Sequence, residues 1–290
     1  MDSVRAVLQP LTHSLPAPLA DSGRSLIGAY CYKTLVLDID PFGAPECLKL
    51  AVSKGLSIGI IGASAIVKIP QLLKIVNSQS AAGVSFLSYL LESGAYLISL
   101  SYNIRHQFPF STYGETALIL AQNIAIASLV LNYSGKKAGI AAWLTGLAAA
   151  GTALFRQDIV DFKTLAWLQA SAGVLGVASK LPQIATIWRE GGTGQLSAFA
   201  VINYLLGSLS RIFTTLQEVP DPLILYGFIA GFVLNAVLAF QVIWYWNAPA
   251  SKTKGSKKQH QPITAEKVNA GESTSFAKVA GKSPSTRRRG

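Results

Sequence analysis

The sequence predicts an all-α polytopic membrane protein, with seven transmembrane helices arranged as two parallel three-helix repeats joined by a linker helix. Three observations predict it. Half of the 290 residues are hydrophobic and 13% are charged, where a soluble domain carries about a quarter. Seven apolar stretches have the length of about 20 residues needed to cross a hydrocarbon core about 30 Å thick. One of these stretches also recurs, in register, 112 residues further along the chain.

Residues 1–52 form an N-terminal arm of balanced charge, since residues 1–55 hold five basic and five acidic side chains. Leu8, Leu11 and Leu15 are interrupted by Pro10, Pro16 and Pro18. This makes a poor core for a cleaved signal peptide, so targeting is expected from the first spanning helix. The two cysteines, Cys31 and Cys47, are too few for a disulfide framework. Unpaired thiols are expected, with a single bond in an oxidising lumen as the alternative.

The spans are expected at 53–76, 84–104 and 114–133 in the first repeat (53–133) and at 138–155 in the linker (134–163). In the second repeat (164–247) they are expected at 164–188, 196–216 and 223–246. Connections between them are too short to hold a separate catalytic domain. Residues 248–290 carry ten basic and two acidic side chains among Ser, Thr and Gly, the composition of a disordered tail. Most of the net charge of +11 sits there, so no specific nucleic-acid partner is expected. Lys136, Lys137, Arg189 and the tail fall on one side of seven spans, and Asp158, Asp161, Glu218 and Asp221 on the other. The positive-inside rule then places the C-terminus in the cytosol and the N-terminus in the lumen, although Arg105, Arg156 and Lys163 point the other way.

The recurrence brings VKIPQLLKI at 67–75 onto SKLPQIATI at 179–187. Lys68 meets Lys180, Pro70 meets Pro182, Gln71 meets Gln183 and Asn123 meets Asn235, all at one offset. Three helices followed directly by three more would be inverted, so the helix near 138–155 restores a parallel pair.

The candidate functional residues follow from this frame. Pro70 and Pro182 are expected deep in their spans as kinks, each freeing a carbonyl four residues earlier, at Ile66 and Ala178. Asn123 and Asn235 are expected to face each other, their amides donating and accepting as sugar hydroxyls do; interhelical bonding is the alternative. Glu92 and Arg211 are the most deeply placed charges, expected to pair with one another or to face a polar cavity. Arg211, Lys68 and Lys180 are candidates for a head-group phosphate, and membrane lipids are expected partners. His13, His106 and His260 are scattered, and the chain shows no glycine-rich phosphate loop, metal-ligand cluster or nucleophile with its base. Neither catalysis nor a cofactor or metal is expected.

At the two Pro-Gln pairs the chain resembles the PQ-loop superfamily. Within it, GQLSAF at 194–199 followed by GSLSRIFTTLQE at 207–218, and KIPQLLKIVNSQSAAGVSFLSYLLE at 68–92, resemble the mannose-phosphate-dolichol utilization defect 1 branch. The resemblance implies an endoplasmic-reticulum membrane protein needed for use of dolichol-phosphate mannose and glucose as lumenal donors, in N-glycosylation and GPI-anchor assembly, with glycosyltransferases as possible partners. It leaves open direct handling of the glycolipid, a SWEET-like carrier of free sugar, and an adaptor for the transferases. Asn123 and Asn235 match positions where SWEET transporters place asparagine near the central cavity. Gln71 and Gln183, as the motif glutamines, complete the expected site.

Overall fold

A computed structural model describes residues 2–192 and 198–246. The expected tail at 248–290 and most of the GQLSAF run lie outside the described residues. Within them every regular element is helical.

The arm holds α1 (Asp2–His13), α2 (Ala17–Tyr32) and a wide π turn at Lys33–Leu37. α2 is interrupted at Gly28, whose φ of 83° is a left-handed conformation that glycine adopts without steric cost. The expectation of unpaired thiols is overturned, because Cys31 and Cys47 are bonded with their Cα atoms 5.1 Å apart. α2 packs back on the start of α3, an approach that the spacing of the two cysteines does not encode.

The first triplet comprises α3 (Pro45–Ser64), α4 (Ile69–Ser78), α5 (Phe86–Arg105) and α6 (Phe110–Tyr133). α3 starts at Pro45 rather than near 53, since a proline in the first turn gives up an amide that has no helical partner. α7 (Lys137–Phe155) is the linker. The second triplet comprises α8 (Phe162–Ala178), α9 (Leu181–Glu190), α10 (Ala198–Glu218) and α11 (Pro222–Trp244).

Each proline follows a break in the first helix of its triplet. The chain turns at 65–68 and again at 179–180, and each proline then occupies the first turn of the helix that follows. The carbonyl of Ile66, expected to be free, accepts the Ile69 amide at 3.1 Å. Each break thus lies in the turn immediately before its proline, where the ring crowds the backbone and no amide proton is available to continue the helix.

Among the described residues four stretches are long and apolar enough to cross a membrane: Pro45–Ser78, Phe110–Tyr133, Lys137–Phe155 and Pro222–Trp244. The chain is an all-α polytopic membrane protein with several long apolar helices. α5, α8 and α10 do not meet the same standard of length and apolarity, and α5 shows why. It buries Ser93, Ser101 and Asn103 while turning Leu87 and Leu91 outward. Elsewhere in the bundle Ser53, Ser57, Asn123, Thr215, Asn235 and Gln241 lie inside while Val174, Leu175 and Ile243 lie outside, an arrangement that suits a lipid surround.

In the first triplet α6 packs against both α3–α4 and α5; in the second α11 packs against both α8–α9 and α10. The triplets meet along α3 with α10 and along α5 with α8, while α7 rests on α5 and α6. One apolar cluster joins the triplets, formed by Tyr102, Leu165, Val219 and Ile224. Of the other two, the cluster around Ile126 joins the first triplet to Trp143 of α7, and the cluster around Leu238 lies within the second triplet. The triplets are therefore sealed together at the end where α10 finishes and α11 begins.

Candidate functional site

Each helix break presents a lysine to the third helix of its own triplet. In the first, the backbone turn brings Lys68 inward, where its Nζ donates to Asn123 Oδ1 at 2.6 Å and to Glu92 Oε1 and Oε2 at 2.8 and 2.7 Å. The Tyr89 ring lies 5.0 Å from the ammonium, a distance at which an aromatic face attracts a cation. Gln122 secures the turn itself. Its Oε1 accepts the Lys68 amide at 3.0 Å and its Nε2 donates to the Ser64 carbonyl at 2.8 Å. Backbone groups released by the broken helix are thereby satisfied inside the bundle.

In the second triplet Lys180 donates to Asn235 Oδ1, the same pairing at the same offset. Around it the shell changes. Asn235 Nδ2 donates to the Tyr204 carbonyl at 3.0 Å and to Ser208 Oγ at 3.1 Å, whereas among the described residues Asn123 Nδ2 is buried without a partner. Tyr204, which stands where the first triplet has Glu92, places its ring 5.6 Å from the Lys180 ammonium. Gln241 ties α11 to the short helix by donating to the Ile184 carbonyl at 3.0 Å.

The structure thus unites Lys68, Glu92 and Asn123 in one cluster and Lys180 with Asn235 in another. The two asparagine amides do not bond to one another, because each is held by its own lysine. Gln71 accepts the Tyr89 hydroxyl at 2.7 Å, beside the first cluster, whereas Gln183 is exposed. Glu92 and Arg211 do not pair as expected. Arg211 is bridged to Glu115 and donates to the Ser111 carbonyl at 3.2 Å, because α10 meets α3 and α6 and not α5.

A second polar cluster went unanticipated. Glu218, its side chain 3% exposed, accepts from Lys54 Nζ at 2.6 Å, Ser53 Oγ at 2.5 Å and Ser111 Oγ at 2.5 Å. It clamps α10 of the second triplet to α3 and α6 of the first. The only sequence signal was the charge of Lys54, Glu115 and Glu218 at the margins of apolar stretches, and none of these residues has a charged counterpart under the repeat. Tyr102 donating to Asp221 at 2.6 Å and Arg105 donating to the Leu154 and Val160 carbonyls at 2.9 and 2.7 Å reinforce the same end. Among the described residues no group of three or more His, Cys, Asp and Glu is placed to hold a metal ion.

Two copies of one repeat carry this geometry, and the PQ loop repeat family matches residues 52–112 and 165–224. The chain carries two PQ loop repeats, which support its membership of the PQ-loop superfamily. This PQ-loop repeat protein is 27% identical to human solute carrier family 66 member 3 over 186 residues, which are 64% of this chain and 90% of that relative. No solved structure matches it significantly. Each lysine stands two residues before the motif proline, so the broken helix and the buried cation belong to the same short segment of each repeat.

Proposed function

We propose that this PQ-loop repeat protein is a non-enzymatic membrane factor that handles a polyprenyl-phosphate-linked sugar, allowing dolichol-phosphate mannose and glucose to serve as donors in lumenal glycosylation. The observation that carries the reading is the pair of lysine–asparagine contacts, one in each triplet, set within helices whose outer faces are apolar. An ammonium and a carboxamide in one place suit a ligand with an anionic phosphate beside sugar hydroxyls. Asn123 Nδ2, buried and without a partner among the described residues, is a spare donor for a hydroxyl. The resemblance of 68–92 and 207–218 to the dolichol-utilization branch supports the same ligand class.

The Cys31–Cys47 bond supports an oxidising compartment on the side where α3 begins. With the basic loops, this favours an endoplasmic-reticulum protein with a lumenal N-terminus and a cytosolic C-terminus. The test is rescue of cells that make dolichol-phosphate mannose and cannot use it. Restored extension of their truncated lipid-linked glycans is expected, and unchanged glycans in cells expressing the protein at normal abundance sink the proposal.

The name of the human relative, a solute carrier, favours a second reading in which the same polar interior passes a free sugar or other small solute. Uptake of free hexose into liposomes holding the purified protein separates the two, because the donor-handling reading expects none.

A further inference from the structure

The two lysine–asparagine pairs are alike in geometry and unlike in charge. Lys68 is neutralised within the protein, since both carboxylate oxygens of Glu92 lie within 2.8 Å of its ammonium. The same offset carries Glu92 to Tyr204, which supplies an aromatic ring and a backbone carbonyl and no carboxylate. Among the described residues Lys180 makes no ion pair, and the neighbouring segment 193–197 contains no acidic residue. Lys180 is half-buried and Lys68 is buried, so the second cation is also the more accessible.

A cation held among apolar helices without a counter-ion is costly, and such residues mark ligand sites in membrane proteins. We infer that Lys180, oriented by Asn235, is the site for the ligand's anionic phosphate, and that Lys68, carrying its own counter-ion in Glu92, is a structural copy of that site. The assignment rests on the glycolipid reading above for the source of the phosphate, but not for the chemistry. Asn235 is already fixed by Tyr204 and Ser208, so its Oδ1 holds the ammonium in one place while the remaining ammonium protons face the incoming oxygens. The protein then distinguishes its ligand by charge at one triplet only. Tyr204 is the residue that makes the difference, by leaving Lys180 without the carboxylate that Lys68 possesses.

The test measures equilibrium binding to the full-length protein in phosphatidylcholine nanodiscs, with farnesyl phosphate, farnesol, mannose 1-phosphate and inorganic phosphate as probes. Farnesyl phosphate is expected to bind and neutral farnesol to bind much more weakly. Lys180→Gln weakens farnesyl phosphate binding at least about tenfold, the scale of losing one partner of a desolvated charge pair. Tyr204→Glu installs the missing carboxylate without removing the lysine and gives the same loss in a protein whose thermal midpoint is unchanged or raised. Arg189→Gln, which removes an exposed charge at the end of α9, leaves binding within about twofold. If mannose 1-phosphate or inorganic phosphate binds with this Lys180 dependence and farnesyl phosphate does not, the anion site holds and the polyprenyl reading falls. Farnesyl phosphate binding that ignores both Lys180→Gln and Tyr204→Glu, or that falls equally with Arg189→Gln, overturns the assignment and leaves the polyprenyl reading standing.

Discussion

At the residue scale, the first site is governed by who satisfies Lys68. Its side chain is 9% exposed and that of Glu92 36% exposed, so solvent screens the pair only in part. Glu92→Gln is expected to destabilise the protein by about 1–3 kcal/mol, because a buried ammonium loses its counter-ion. Lys68→Gln combined with Glu92→Gln recovers part of that loss. Thermal unfolding in detergent across the four members of the cycle measures the coupling, and strictly additive effects would show that the pair is not a unit. The shared lysine and asparagine were legible in the sequence because they recur at one offset. Their partners were not, since which carboxylate reaches Lys68 depends on how α5 lies against α4 and α6, and no spacing within one helix encodes that.

At the scale of elements, the broken first helix of each triplet is the device that turns a lysine inward. Prolines at 70 and 182 occupy first turns, where a missing amide proton costs nothing. Pro70→Ala and Pro182→Ala are each expected to change stability by less than about 1 kcal/mol. A gain approaching about 3 kcal/mol, the cost of an interior proline, would instead reveal a continuous helix held bent by the ring. Gln122 strengthens the break in the first triplet alone, as its counterpart in the second is Leu234, and there Gln241 takes up the tie to the short helix from a different position on α11. The arm is a separate element, attached through a disulfide between residues 16 apart in sequence. Cys31→Ser is expected to lower stability by up to about 3 kcal/mol through the lost cross-link and to leave Cys47 open to alkylation, which mass spectrometry detects. Alkylation of both thiols in the unreduced wild-type protein would refute the bond.

At the scale of the whole molecule, the triplets are joined unevenly. Glu218 with Lys54, Arg211 with Glu115, Tyr102 with Asp221 and the apolar cluster around Leu165 all lie at one end. Neither the Ile126 cluster, which extends onto α7 through Trp143, nor the Leu238 cluster joins one triplet to the other. This asymmetry suits a bundle that parts at one end while held at the other, with the buried carboxylate of Glu218 as the principal fastening. Glu218→Ala strands Lys54 and is expected to cost about 3 kcal/mol. It should also widen the distance distribution between spin labels at the outward-facing positions Val52 on α3 and Leu216 on α10. An unchanged distribution would show that apolar packing alone closes that end.

The sequence by itself determined the solvent and the repeat. Apolar composition over these lengths demands lipid, and a segment recurring with its lysine, proline, glutamine and asparagine in register demands two related units. Tertiary structure alone decided the pairings: Glu92 with Lys68 instead of Arg211, Arg211 with Glu115, and Cys31 with Cys47. The physical reason is that burial in lipid is a property of single residues and short periods, which a sequence displays directly. The choice of partner for a buried charge depends on which helices are neighbours, and that is settled only when all of them pack at once.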